Sequence, residues 1–186
     1  MSHFVHEEGH AHFITFSTAG KKWLFKSPAL YQLFVEHLDR AREKHQFYLF
    51  AYVVMPNHVH LLIFPKGTEN IPNILRTIKR PFAYHALQIL RKSDPDLVKS
   101  QEVNHGNRTV TRFWQPGGGL DRNITNPERV RRAIEYMHGN PVRRGLVEKP
   151  TDWTWSSARF WENGTTNPIR MDVPEWLGRD PSKEQQ

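Results

Sequence analysis

The chain has 186 residues, 38% of them hydrophobic, 24% charged and 12% aromatic, a mix that supports one compact domain with a buried core. It has no cysteine, which excludes disulfides, thiolate–metal sites and cysteine nucleophiles, and no apolar run approaches the roughly 18–20 residues that cross a bilayer. With 26 Lys plus Arg against 19 Asp plus Glu, the formal charge is +7, which favours polyanionic partners without proving one. The first twenty residues lack the basic start and apolar stretch of a secretory signal, so a cytoplasmic domain with no membrane partner is expected.

Along the chain, residues 1–9 are expected as a flexible leader, with His3, His6, His10 and His12 crowding the N-terminus. Residues 12–18, rich in β-branched and aromatic side chains, predict a strand. Ser27 and Pro28 predict a helix start, and Leu30, Phe34, Leu38 and Ala41 share one helical face to about residue 44. Residues 47–54 form a nearly unbroken apolar run, as in a strand covered on both faces. A tight turn at residues 55–57 joins it to a second strand, 58–64, as an antiparallel hairpin.

A helical pattern then covers residues 70–92, which Pro81 should break or kink. Residues 93–112 are polar and predict an exposed loop, and a short strand is expected at 120–124. Asn126, Pro127 and Glu128 open a third helix with the apolar stripe Val130, Ala133, Ile134 and Met137, closed by Gly139, Asn140 and Pro141. Trp153, Trp155 and Trp161 suit a core or clasp role, and a polar tail is expected over 163–186. The element order βαββαβ plus a trailing helix is that of an α+β, ferredoxin-like (RRM-like) antiparallel sheet, here expected over residues 10–162.

Two places could carry chemistry. His58 and His60 alternate with Val59 and Leu61 on one strand, so both imidazoles project to the same side about 7 Å apart, while the apolar residues bury the other face. They are either ligands for one cation or two polar residues on a half-exposed strand. On the third helix, Tyr136 lies off the apolar stripe, and Asn140 follows one turn later on nearly the same face. The pair either presents a phenol and an amide oxygen to one point, or is a boundary tyrosine with an asparagine capping the helix end. His138 points about 200° away from Tyr136 and is set aside as its partner.

Basic residues cluster around both places: Arg76, Lys79 and Arg80 on the second helix, and Arg122, Arg129, Arg131, Arg132, Arg143 and Arg144 around the third. Residues 122–144 hold six Arg against two acids, Glu128 and Glu135, which favours a phosphate-facing surface. The glycines at 117–119 match no phosphate loop, because no GK[ST] follows.

The segments VVMPNHVHLLI (53–63), FWQPGGGLDRNI (113–124) and EYMHGNPVRRGLV (135–147), in that order, resemble the REP-associated tyrosine transposases, the insertion-sequence-200-like group of HUH single-strand transposases. The resemblance runs over roughly residues 12–161. It implies a ferredoxin-like sheet with the histidines on a central strand and the tyrosine helix packed beside it. By motif, His58 and His60 would be metal ligands and Tyr136 the nucleophile. Asn140 falls where related enzymes place a glutamine as third ligand. The implied cofactor is Mg²⁺ or Mn²⁺ and the implied substrate single-stranded or hairpin DNA at palindromic repeats. Arg76, Lys79, Arg80, Arg122, Arg129, Arg132, Arg143 and Arg144 are the expected DNA contacts. A cytoplasmic, nucleoid-associated monomer or homodimer is expected. Two other readings compete: a metal-dependent phosphodiesterase that uses water, and a non-catalytic single-strand binder on the same fold.

Overall fold

The computed structural model describes residues 9–67, 70–166 and 168–178; His3 and His6 lie outside them. The chain runs through β1 (Ala11–Ser17), α1 (Pro28–His45), β2 (Tyr48–Met55), β3 (His58–Phe64), α2 (Ile71–Ser93), α3 (Pro95–Lys99), β4 (Glu102–His105), β5 (Arg108–Thr111), β6 (Leu120–Ile124), α4 (Pro127–His138), α5 (Asn140–Arg143) and α6 (Ala158–Asn163). Four strands form an antiparallel sheet in the order β2-β3-β1-β6. With α1 and α2 as its crossovers, this is the expected ferredoxin-like βαββαβ unit.

Alternation along the strands divides the interior into two layers. Ile14 and Phe16 on β1, with Val59, Leu61 and Ile63 on β3, pack under α1 and α2. Phe13 on β1, Leu62 on β3 and Val53 on β2 point to the other side, where Val130, Ile134 and Met137 of α4 cover them. Both faces of β2 are therefore buried, which is why its sequence shows no polar alternation. The register shifts between Leu49 and Ala51, so Phe50 and Ala51 both face α4, as the extra residue of a β-bulge allows.

Pro81 does not break α2, which runs as one helix through it. Ile78 and Phe82, on either side of the proline, are fully buried against the α1 layer, and this packing outweighs the lost hydrogen bond. The polar stretch expected as a loop contains α3 and the β4–β5 hairpin. Its two-residue turn places Gly106 at φ 60°, with His105 opposite Arg108, a Gly-Asn hairpin signal present in the sequence.

The segment expected as a polar tail also differs in part. Ile169 and Met171 join the α1/α2 core and Leu177 joins the α4 core. Together with residues 153–161 they close the free edge of β2. Trp155 O accepts from Val54 N at 2.8 Å, and Asp172 N donates to Leu49 O at 2.8 Å. Asp172 Oδ2 accepts from Leu49 N at 2.8 Å. Trp153 Nε1 donates to Val54 O and Trp161 Nε1 to Phe50 O, at 3.0 and 2.9 Å. The tryptophans are thus the expected clasp, and they occupy backbone groups that would otherwise template edge pairing.

Candidate active site

His58 and His60 lie on β3, in the middle of the sheet, on the face that α4 covers. Their register partners on β1 are Ser17 and Thr15. The two rings lie 4.8 Å apart, centroid to centroid. Each is held by a hydrogen bond at Nδ1. Asn57 Oδ1 lies 2.7 Å from His58 Nδ1, and the Asn57 amide nitrogen donates to Lys21 O at 3.1 Å. That second bond fixes the oxygen toward His58, so Nδ1 carries the hydrogen and Nε2 the lone pair. Thr15 Oγ1 lies 2.7 Å from His60 Nδ1 and occupies that nitrogen of the second ring, which leaves Nε2 as its other face. Gly119, at φ 89°, abuts Thr15 so closely that a Cβ there would overlap the Thr15 carbonyl oxygen. A side chain at 119 would push Thr15 away from His60.

Burial pushes the His58 imidazole down to about 4, helped by the positive charges of Arg144 and Lys21. His60 is pushed down to about 3, again by burial first, then by His58 and Arg143. Both rings are therefore neutral at physiological pH, with a lone pair to offer.

Tyr136 comes to the same place from α4. Asn126 caps that helix by accepting from Glu128 N at 2.8 Å, and its apolar stripe docks on the sheet. The Tyr136 ring is left 54% exposed at the helix margin, as its position off the stripe predicts. The ring lies 6.4 Å from the His60 ring and 6.2 Å from that of Phe13. The Arg143 guanidinium sits 4.5 Å from the ring centroid and also donates to Tyr136 O. Gly139 makes room for it, since a Cβ there would crowd the Arg143 guanidinium.

Asn140 opens the one-turn helix α5, which restarts after α4 ends at His138. It is buried, and Nδ2 donates to the carbonyls of Tyr136 and Met137 at 3.2 Å each. It therefore does cap the end of α4, and its Oδ1 is the amide's remaining ligand atom. His138 is buried with Nε2 2.8 Å from Ser157 Oγ, a core role.

A cavity of about 460 Å³ adjoins His60 and Tyr136, and Arg122, Arg129 and Arg132 line it with no carboxylate among the described lining residues. Those three arginines, with Arg143 and Arg144, are gathered at the site. Arg76, Lys79 and Arg80 are not, because α2 lies on the opposite face of the sheet. Arg76 donates to Asn73 Oδ1. Lys79 Nζ donates to Gly117 O at 3.0 Å, and burial lowers its pKa. Sequence reasoning missed Thr15, Asn57 and Phe13. Only the strand register pairs Thr15 with His60, whereas Asn57 was signalled by adjacency alone.

Residues 6–117 match the family described as IS200-like transposases; the match includes both histidines and ends before Tyr136. A REP-associated tyrosine transposase of Escherichia coli is 26% identical over 128 residues, 68% of this chain and 64% of that protein. A putative REP-associated tyrosine transposase of Haemophilus influenzae is 28% identical over 116 residues, 62% of this chain and 61% of its own. The alignments thus span less than two thirds of these relatives' lengths. The fold is similar to that of a REP-associated tyrosine transposase solved bound to a REP hairpin, with TM-score 0.66 and 23% identity over 96% of this chain and 94% of that one. Among the described residues, no helix is long and apolar enough to cross a membrane. A ferredoxin-like sheet with paired histidines on its central strand, matched across most of its length by this family, makes the chain a member of the IS200-like transposases.

Proposed function

We propose that this chain cleaves and rejoins single-stranded DNA by transesterification through Tyr136, at imperfect palindromic hairpins with an unpaired flank. The observation that carries the reading is the approach of the Tyr136 and His60 rings to 6.4 Å, beside a cavity lined by three arginines and, among the described residues, no acid.

His58 Nε2, His60 Nε2 and Asn140 Oδ1 would hold a divalent cation, Mg²⁺ or Mn²⁺. The donor set fits, because both imidazoles are neutral with Nδ1 occupied, and the Asn140 amide is anchored through nitrogen. Among the described residues no group of three or more His, Cys, Asp or Glu could hold a metal ion, so the third donor in this reading is the amide. When bound, such an ion supplies Lewis-acid polarisation of a phosphate.

The chain's own groups do the rest. The Tyr136 phenolic oxygen attacks the scissile phosphorus, the P–O3′ bond breaks, and the phenolic proton ends on the departing O3′. The products are a 5′-phosphotyrosine and a free 3′-OH. One phosphodiester has been exchanged for another, so attack by a 3′-OH reverses the step without ATP. Arg143, stacked on the ring, offsets negative charge developing on the phenol. Arg122, Arg129 and Arg132 hold flanking phosphates. The approach of Tyr136 to His60 within one chain supports a site that works in a monomer or a homodimer, and the enzyme would act at the nucleoid in the cytoplasm.

The test is incubation with a labelled hairpin bearing an unpaired flank, with Mn²⁺, followed by a denaturing gel. Wild type should give a shifted covalent band that Tyr136→Phe and EDTA both abolish. Cleavage that persists in Tyr136→Phe would mean that water is the nucleophile. Tight binding with no cleavage would leave only the non-catalytic reading.

A further inference from the structure

Four strands make a sheet wider than one helix can cover. On the α4 face, Val130, Ile134 and Met137 cover β2 and the centre of the sheet, and β6 at the other edge is left with Leu120 48% exposed. Leu120, Arg122 and Ile124 face the same way, because they pair with Thr15, Phe13 and Ala11 of β1. The outcome is a wedge between α4 and the β1–β6 edge, the cavity of about 460 Å³ that adjoins His60 and Tyr136. This falls within the range of about 300–1,000 Å³ usual for small-ligand sites.

The lining combines an apolar slot of Phe13, Leu120, Ile124 and Ala133 with the cations Arg122, Arg129 and Arg132, and Thr15, His60 and Tyr136 complete it. An apolar slot that shares its cavity with three arginines, with no carboxylate among the described lining residues, fits a flat apolar body joined to anionic groups. An unpaired nucleotide has that form. Phosphate contacts alone would need the arginines but no apolar slot beside them.

We propose that this wedge is a nucleobase pocket, which takes one unstacked base of the single-stranded flank and so sets which phosphate lies against Tyr136. The proposal rests on the reading of Tyr136 as nucleophile. It adds that protein side chains seat a base, so the unpaired flank is recognised directly as well as through its backbone. Seating an already unpaired base avoids most of the cost of extruding one from a duplex.

The experiment places 2-aminopurine singly at each position of the unpaired flank of the hairpin. Emission is followed as Tyr136→Phe, which keeps the ring but cannot react, is titrated in. One position alone should respond. Adding Ala133→Phe, which fills the slot, should remove that response and weaken binding roughly 10-fold or more. Leu120→Gln, at a half-exposed strand position that tolerates polarity, should act in the same direction, and thermal melts verify that both variants fold.

In the cleavage assay, an abasic residue at the responding position should slow the wild type by about 10–100-fold. Ala133→Phe should slow the intact strand similarly and add nothing on the abasic one. The pocket is overturned if no position responds, or if Ala133→Phe processes the intact strand like wild type. A wild type that forms no covalent adduct, yet shows the single Ala133-dependent response, refutes the nucleophile and leaves the pocket standing. A Tyr136-dependent adduct indifferent to Ala133 does the reverse.

Discussion

Thr15 gives the sharpest test of how the site is held. Its hydroxyl lies 2.7 Å from His60 Nδ1, and His60 is only 5% exposed, so water cannot replace the lost partner in full. Thr15→Val keeps shape and strand preference while removing the hydroxyl. The His60 ring then either leaves Nδ1 unpaired, at a cost of about 1–3 kcal/mol, or turns and presents the wrong nitrogen to a cation. Both routes weaken cation binding by about 10–100-fold, the usual effect of losing a partner behind a histidine ligand. The assay is the Mn²⁺ concentration that gives half-maximal covalent adduct, measured with saturating DNA. Thr15→Val should raise that midpoint by this factor at unchanged DNA affinity, and Thr15→Ser should restore it. A Thr15→Val midpoint within about twofold of wild type would refute the claim that the hydroxyl positions His60, since twofold is about 0.4 kcal/mol.

Met171 is 1% exposed in the α1/α2 core, so Met171→Ala should cost about 2–5 kcal/mol in urea unfolding; an inert tail would give a change near zero. His37 Nε2 sits 3.2 Å from His85 Nδ1, and burial, then His85 and Arg40, push its pKa below 6.5 against an opposing contribution from Glu36. The unfolded chain then binds the extra proton. The stability from this site is full above about pH 6.5 and is lost as pH falls toward the lowered folded value. His37→Gln should flatten that part of the stability–pH curve, and an unchanged slope would contradict the assignment. Replacing Arg122, Arg129 and Arg132 together by Gln should reduce the salt dependence of single-strand binding by about 2 in log–log slope, near 0.7 per phosphate contact; an unaltered slope would place the DNA elsewhere.

The parts of the molecule legible in the sequence are those set by local chemistry. The Asn126–Pro127 cap, the β2–β3 hairpin and the bounds of β6 follow from turn residues and alternation, and all lie where expected. The two histidines share a face because strand alternation requires it, and Tyr136 is exposed because it lies off the α4 stripe. What stayed hidden depends on partners distant in sequence. Thr15 meets His60 through pairing across 45 residues. The position of Met171 depends on the open edge of β2, and Pro81 is carried by burial of the helix around it rather than by its own preference. The β4–β5 hairpin is the exception, since its Gly106–Asn107 turn was readable and the surrounding polarity masked it.

The nucleophile can be identified directly. Trypsin digestion of the covalent complex should release the peptide spanning residues 133–143, whose one tyrosine is Tyr136. This peptide should carry the nucleotide mass after nuclease trimming. The same mass on any other peptide, or cleavage with no modified peptide at all, would contradict it.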